Sequence, residues 1–551
     1  MSVFFMLFSP RYILLTLAVV VTVLGLLAIS SDISWLPYLS VPVVISGGLA
    51  LLGLRDLTQT RHAILRNYPI AAHLRFLLED IRPEMRQYFF EGEKDGRPFS
   101  RDQRALVYQR AKKTLDKRPF GTMFDVYEES YEWLTHSIQP CQPEQDHFRV
   151  QVGGSKCTQP YSASVLNISG MSFGAISPNA IRALNKGANA GGFAHNTGEG
   201  SISIYHQEFG GDIIWQIGSG YFGCRTEDGN FCPDRFAENA KLPQVKMIEI
   251  KLSQGAKPGH GGVLPAAKIN AEIAKTRGIK EGEDCVSPAN HKAFSTPREL
   301  LEFVDRLRDL SGGKPVGFKL CIGHPWEFLS ICKAMAETKM APDFITVDGK
   351  EGGTGAAPQE FMDHIGMPLR DGLNFVHNAL VGIEMRDQIR IAASGRIISA
   401  FDIARVMGLG ADWCNAARGF MFAVGCIQAQ ACHTDECPTG VTSQDPTRQR
   451  AIVVPDKAVR VENFHRATMR ALAELVGSAG LQHPSGLTPH HFYKRISQKE
   501  FVTFAKLHPP LAHGELLRGT SNPKYKEHWD ACSADHFGMQ PPMIPVAAAA
   551  E

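Results

Sequence analysis

The sequence predicts an α/β protein centred on a (β/α)8 barrel, the TIM-barrel architecture, with an N-terminal transmembrane helical hairpin and helical extensions. Three observations carry this. From about residue 160, short apolar runs end in glycine-rich turns and alternate with helical stretches, giving eight strand candidates in sequence. Polar and glycine residues gather just after each run, on the face where such barrels carry their active sites. The N-terminus holds two uncharged apolar runs of about 20 residues each, long enough for a bilayer core of about 30 Å. An open doubly wound sheet is the alternative arrangement of the same strands.

The hairpin comes first. Tyr12 to Ser31 is dominated by Leu, Val, Ala and Ile, and Ile33 to Leu54 repeats the pattern with Pro37, Pro42 and the Gly47-Gly48 pair inside it. Only Asp32 separates the runs, with Trp35 and Tyr38 near the turn, where interfacial aromatics belong. Arg11 precedes them and Arg55, Arg61 and Arg66 follow, so the positive-inside bias puts both ends, and the catalytic domain, in the cytoplasm at the inner membrane. A secretory signal is the rival for the first run, but a small-x-small cleavage site is not evident.

Composition bounds the remainder. At 551 residues there is room for two or three domains, or for one large enzyme domain with appendages. A formal charge of +2 gives no reason to expect nucleic acid as a partner. The 12 Cys are scattered rather than densely spaced, which suits a reducing compartment. The expected organisation is 1–58 hairpin, 59–150 helical linker, 151–450 barrel with a cysteine loop, and 451–551 helical extension. Within the linker, Arg75 to Phe90 shows apolar positions at helical spacing. The basic stretch from Arg101 to Arg118 reads as a solvated helix face, or as a contact for anionic headgroups or an acidic electron carrier.

The strand candidates are Val165–Ser169, Gly192–His195, Ile213–Ile217, Met247–Lys251, Val316–Leu320, Phe344–Val347, Ile389–Ala393 and Asp412–Ala416. The last two end in Ser394-Gly395-Arg396 and Ala417-Arg418-Gly419, loops that commonly hold a phosphate in barrels. A third glycine-rich turn, around Gly353, follows the sixth candidate. Lys251 ends the fourth and Lys319 sits inside the fifth, where an ammonium is costly unless an anion meets it. Glu199 follows the second, placed to orient or deprotonate an amine. Beyond the last strand, Cys426, Cys432 and Cys437 stand in a C-x5-C-x4-C pattern followed by Pro438. Three such thiolates suit an iron–sulfur cluster lacking one iron, [3Fe–4S], with zinc and buried small hydrophobes as rival readings. A phosphate site beside an iron–sulfur site points to a phosphorylated redox cofactor, and FMN fits a barrel best.

Several motifs in order identify a resemblance. Ser169-Gly170-Met171-Ser172-Phe173-Gly174, Asn196-Thr197-Gly198-Glu199-Gly200, Gln254-Gly255-Ala256-Lys257-Pro258-Gly259, Glu351-Gly352-Gly353-Thr354-Gly355 and the three cysteines resemble the FMN-binding synthase domain of glutamate synthase. The likeness runs from roughly Cys157 to Arg450 and is similar above all to the short bacterial members of that family. It implies reductive amination of 2-oxoglutarate by ammonia, through 2-iminoglutarate, to L-glutamate, with FMN and a [3Fe–4S] cluster. A separate electron donor, ferredoxin or a reductase, is implied too. Lys257 and Arg277 would then meet the carboxylates of the oxo acid, Glu199 would handle the ammonia or imine, and Ser172, Gln216, Lys251 and Lys319 would approach the flavin.

The resemblance also exposes departures. Val263 stands where the family has a Gln, and Tyr221 where it has an Arg. A related amino or imino acid, such as an N-alkylated glutamate, is therefore the alternative substrate. A membrane electron relay is a third reading, disfavoured by the carboxylate-binding residues. The chain opens Met1-Ser2 and runs into the hairpin, so no glutaminase domain is expected within it, and no NAD(P)H-binding domain is evident.

Overall fold

The computed structural model describes residues 8–539. The chain falls into two compact units that divide between Asp102 and Gln103. In the first, α1 (Ile13–Ser31) and α2 (Leu36–Thr58) pack against each other, joined by a 3-10 turn that Asp32 caps by accepting from the Ser34 N–H at 2.9 Å. Thr22 donates to Ser46 across the pair at 2.8 Å. Both helices are long and apolar enough to cross a membrane. Next comes α3 (Ala71–Met85), continued by a π-helical turn over Arg86–Phe90.

The stretch expected to be helical from 59 to 150 is helical only as far as α4 (Arg101–Lys112). Beyond it Pro119, Gly121, Pro140 and Pro143 interrupt any helical ladder, and the chain runs irregularly to a short strand, Glu132–Leu134. The basic stretch is also not the fully solvated face expected. Arg104 and Arg110 are buried, and Arg110 donates to Thr468 at 3.2 Å and pairs with Asp116 at 3.3 Å.

The eight expected strands form one closed parallel ring. They are β1 (Leu166–Ile168), β2 (His195–Asn196), β3 (Ile213–Ile217), β4 (Val245–Lys251), β5 (Val316–Leu320), β6 (Phe344–Asp348), β7 (Arg390–Ser394) and β8 (Trp413–Ala416). Neighbours in sequence pair parallel, with a register shift between β3 and β4 at Ile213/Ile214, and Ala416 against Ile168 closes the ring. Their residues are buried almost without exception, as a parallel sheet covered on one face and filled on the other requires. Inside, the Phe344 and Trp413 rings lie 5.7 Å apart. A side chain at Gly317 would strike the Phe344 ring, so glycine opens the barrel floor to an aromatic layer.

Helices cover the outside. Ser177 caps α5 (Pro178–Gly191) through its hydroxyl, which accepts from the Ala180 N–H at 3.2 Å, a device worth about 1 kcal/mol. The long α6 (Val454–Ser478) crosses α5 so closely that a Cβ at Gly187 would meet the Ala458 carbonyl at 2.6 Å. The C-terminal region is not helical throughout: Phe492–Arg495 pairs antiparallel with Glu132–Leu134 on one side and with Phe501–Thr503 on the other, where aromatic and β-branched residues favour strand.

Candidate functional site

The strand ends of the barrel bring the expected polar residues to one face. At the end of β6 and β7 the Gly349 N–H donates to the Ser394 carbonyl at 2.8 Å, and the chain then turns through Gly395 and Arg396 at φ +140° and +55°. Both values lie in the left-handed half of conformational space, where a tight turn exposes backbone N–H groups. Arg418 follows β8 and donates to the Glu351 carbonyl. Burial, with the nearby Arg396 charge, pushes Arg418 down to about 10, partly offset by Asp348. Gly353 leaves room for that guanidinium, since a Cβ there would lie 2.9 Å from Arg418 Nε. Gly419 is buried beside it. Arg396, in the left-handed turn after β7, and Arg418, after β8, bring two guanidinium groups to adjacent strand ends, which suits a phosphate dianion, so these residues fit the terminal group of FMN.

A second cluster lies around Glu199. Its Oε1 accepts from Lys251 Nζ at 2.8 Å. Burial alone would raise the carboxyl, but Lys251, Arg277 and Lys257 together bring it below the usual glutamate value. Glu199 is wedged between strand ends, for a side chain at Gly218 or Gly262 would collide with it. Lys257 donates to the Ala356 carbonyl at 3.0 Å, and burial followed by the Lys251 charge lowers it to about 8. Arg277 ends the helix Ala271–Arg277, donates to the Phe173 carbonyl at 2.7 Å and lies over the Phe222 ring. Its Nε is buried with no hydrogen-bond partner among the described residues. Three cations thus surround one carboxylate, and one of them keeps an orphaned donor, an arrangement that fits an added anion with more than one negative charge.

Between these clusters lies a buried polar layer. Lys319 pairs with Asp348 at 3.3 Å; burial opposes its charge, but Asp348, Glu249 and Glu199 raise it above the usual lysine value. Asp348 in turn accepts from the Gly255 N–H at 2.9 Å. Gln216 donates to Glu249 at 2.6 Å, Asn196 does so at 2.8 Å and Thr346 at 2.6 Å. Ser172 lies opposite Gly198, where a Cβ would come within 2.6 Å of the Ser172 nitrogen. Glu249 and Asp348 were given no role from the sequence, and Asn196 entered only as a member of a motif. The signal existed for Glu249, a charged residue inside an apolar strand, the same signal that marks Lys319.

Tyr221 does not leave a gap where an arginine was expected. It adopts φ +49°, and its hydroxyl accepts from the Ala293 N–H at 3.0 Å. His291 Nε2 lies 2.9 Å from the Lys251 carbonyl, so Nε2 carries the proton, and Nδ1 accepts from the Tyr221 hydroxyl at 3.1 Å. Burial holds this imidazole near a pKa of 4, hence neutral. The Tyr221–His291 pair therefore ties down the backbone of the lysine that grips Glu199.

The three cysteines line one pocket with Ile427, Pro438, Val441 and Thr442. Among the described residues no three His, Cys, Asp or Glu side chains converge closely enough for a single metal ion. Each thiolate of a [3Fe–4S] cluster binds a different iron, so such a cluster asks only that the sulfurs rim a common cavity, as they do. Burial pushes Cys426 up to about 12 and raises Cys432, whereas Cys437, despite burial, is brought to about 7 by hydrogen bonds from Thr439 and the Thr442 backbone. Lys268 lies beneath the loop, donating to the Cys432 carbonyl at 3.1 Å, and Tyr108 donates to the Cys426 carbonyl at 2.7 Å. The donor set, three thiols on one pocket, fits the cluster.

Comparison with known proteins agrees with this geometry. Residues 128–482 match the family model described as the conserved region in glutamate synthase. The glutamate synthase large subunit-like protein YerD of Bacillus subtilis is 36% identical over 510 residues, covering 85% of this chain and 96% of that one. The archaeal glutamate synthase (NADPH) of Methanocaldococcus jannaschii is 35% identical over 315 residues, 57% of this chain and 58% of that enzyme, so little more than half of its length is matched. Among solved structures, a flavocytochrome b2 variant with pyruvate bound aligns over 80% of this chain and 89% of that one at 11% identity and a TM-score of 0.38, a likeness too low to add to the ring described above.

Proposed function

Since the chain belongs to the glutamate synthase family and is an oxidoreductase of that type, we propose that it aminates 2-oxoglutarate reductively with external ammonia to give L-glutamate. FMN, when bound, supplies the hydride and a [3Fe–4S] cluster supplies single electrons from a separate donor. Gly395, Arg396, Arg418 and Gly419 would hold the FMN phosphate, with Ser394 and Gly353 shaping the turn. Lys319 and Gln216, both fastened to buried carboxylates, would face the flavin ring. Cys426, Cys432 and Cys437 would hold the cluster.

The observation that carries the reading is the ring of cations about Glu199. Lys257 and Arg277 bind the two carboxylates of the oxo acid through charge-assisted hydrogen bonds. Glu199, ionised and gripped by Lys251, accepts a proton from the nitrogen nucleophile as it adds to the carbonyl carbon and returns it to the carbinolamine oxygen, which leaves as water to give the imine. The wedge of strand ends around Glu199 keeps water from the imine, which would otherwise hydrolyse. The arginines outside both apolar helices support a barrel on the cytoplasmic side of the inner membrane.

A second reading rests on Val263. It follows Gly262, which abuts Glu199, and puts an apolar side chain where the family has a polar one. An N-alkylated product would suit that corner. The test compares ammonium with methylamine, each with 2-oxoglutarate, in wild type and Val263→Gln. If the reading of glutamate synthesis holds, ammonium is preferred in both, and Val263→Gln raises kcat/KM with ammonium several-fold, as one regained hydrogen bond of about 1 kcal/mol allows. Preference for methylamine in the wild type, lost in Val263→Gln, would transfer the assignment to an N-alkyl amino acid.

A further inference from the structure

Helix α3 carries an apolar stripe that no described residue of its unit covers. Leu74, Leu77, Leu78, Ile81, Met85 and Phe89 recur at helical spacing and so share one face. All are exposed, Leu74 by 60% and Phe89 by 74%, an unusual run of large apolar side chains in water. The opposite face is the one that packs: Ala72 is buried, and Phe76 meets the His62 ring edge-on at 5.6 Å. The stripe is therefore outward by construction, not by loose attachment.

Two further observations say what covers it. The start of α3 is fastened to the end of α2: Asp56, buried, accepts from the Ile70 N–H at 3.0 Å and contacts His73 Nε2 at 3.0 Å. If α2 spans a bilayer, its Arg55 end lies at the headgroups, and α3 starts at that depth. One flank of the stripe is basic, with Arg75, Arg82 and Arg86 exposed and Glu79 near the first two, the other flank carries Asp80 and Glu84, and its end is aromatic, with Tyr88 and Phe90 beside Phe89. An apolar face bordered on one side by arginines and closed by aromatics suits a helix lying in a membrane interface.

We infer that α3 and the π-helical turn after it lie in the plane of the membrane surface, with the stripe among the upper acyl chains and the arginines on anionic headgroups. The inference rests on the reading of α1 and α2 as bilayer spans, and the lipid surface it names is the one at their cytoplasmic ends. The alternative occupant of the face is a second copy of the chain, which the following test separates.

The full-length protein is placed in phosphatidylcholine vesicles containing phosphatidylglycerol, with the photoreactive residue benzoylphenylalanine in place of Leu24 (in α1), Leu78 or Glu84. All three positions are exposed, so the fold has no packing to lose. Illumination followed by mass spectrometry should give lipid adducts at Leu24 and Leu78, with Glu84 at least tenfold lower. Adducts at Leu24 with Leu78 no higher than Glu84 would overturn the inference and leave the spans standing. No lipid adduct at Leu24 or Leu78 would overturn both. Adducts between chains at Leu78 in place of lipid would mean that a second copy covers the stripe, and would also overturn it.

Discussion

Lys257 shares a buried corner with Lys251 and Glu199, and its ammonium is held only to about pH 8. An ordinary lysine keeps its charge past pH 10. The sign of the consequence follows: the charge is present below about 8, is lost as pH rises, and a carboxylate bound by it is released. Affinity for 2-oxoglutarate should therefore weaken above pH 8, by up to about tenfold per pH unit, the most that one proton allows. Titration of the oxo acid into the holoenzyme from pH 7 to 9.5, followed by the flavin spectrum, checks this without the rising ammonia concentration entering. Lys257→Arg should flatten the profile, because a guanidinium stays charged throughout. An unchanged dissociation constant across that range would remove Lys257 from the carboxylate site.

The cysteine loop shows what an element adds to its residues. Its spacing marks three thiolates in the sequence, while the structure shows what holds the loop: Lys268 under the Cys432 carbonyl, Tyr108 on the Cys426 carbonyl and the threonines beside Cys437. Cys432→Ala should abolish the low-temperature EPR signal of the oxidised cluster and slow flavin reduction by an external donor; an intact signal would remove the ligand assignment. The barrel strands were legible because each is a short apolar run closed by glycine, and all eight fall within a few residues of their expected places. Lys319 was legible because a charge inside such a run needs an explanation. Glu249 gave the same signal, but its meaning lies in Gln216, Asn196 and Thr346, donors from three other strands that only the closed ring brings together. The Tyr221–His291 link was hidden for a similar reason, since the two residues are distant in sequence and meet through loop packing. The irregular path after Lys112 was written in its prolines, which local helical patterning had masked.

At the scale of the whole molecule, the two units make separable predictions. The catalytic barrel and its covering helices lie wholly after Asp102, while α1, α2 and the exposed stripe of α3 lie before it. Removing residues 1–58 should leave a protein that still sediments with anionic vesicles through α3, and removing residues 1–100 should release it. Both truncations should retain FMN in proportion to protein, measured by flavin absorbance. Loss of FMN on either deletion would show that the N-terminal unit is needed to complete the site. Release of the shorter deletion from vesicles would show that α1 and α2 alone hold the membrane.

The central claim is that this chain makes the carbon–nitrogen bond of an amino dicarboxylate. Anaerobically reduced holoenzyme, mixed with 2-oxoglutarate and 15N-labelled ammonium, should reoxidise its flavin and release one 15N-labelled L-glutamate for each flavin reoxidised, as read by absorbance and mass spectrometry. Flavin that stays reduced under those conditions, or reoxidises without labelled glutamate, would contradict it.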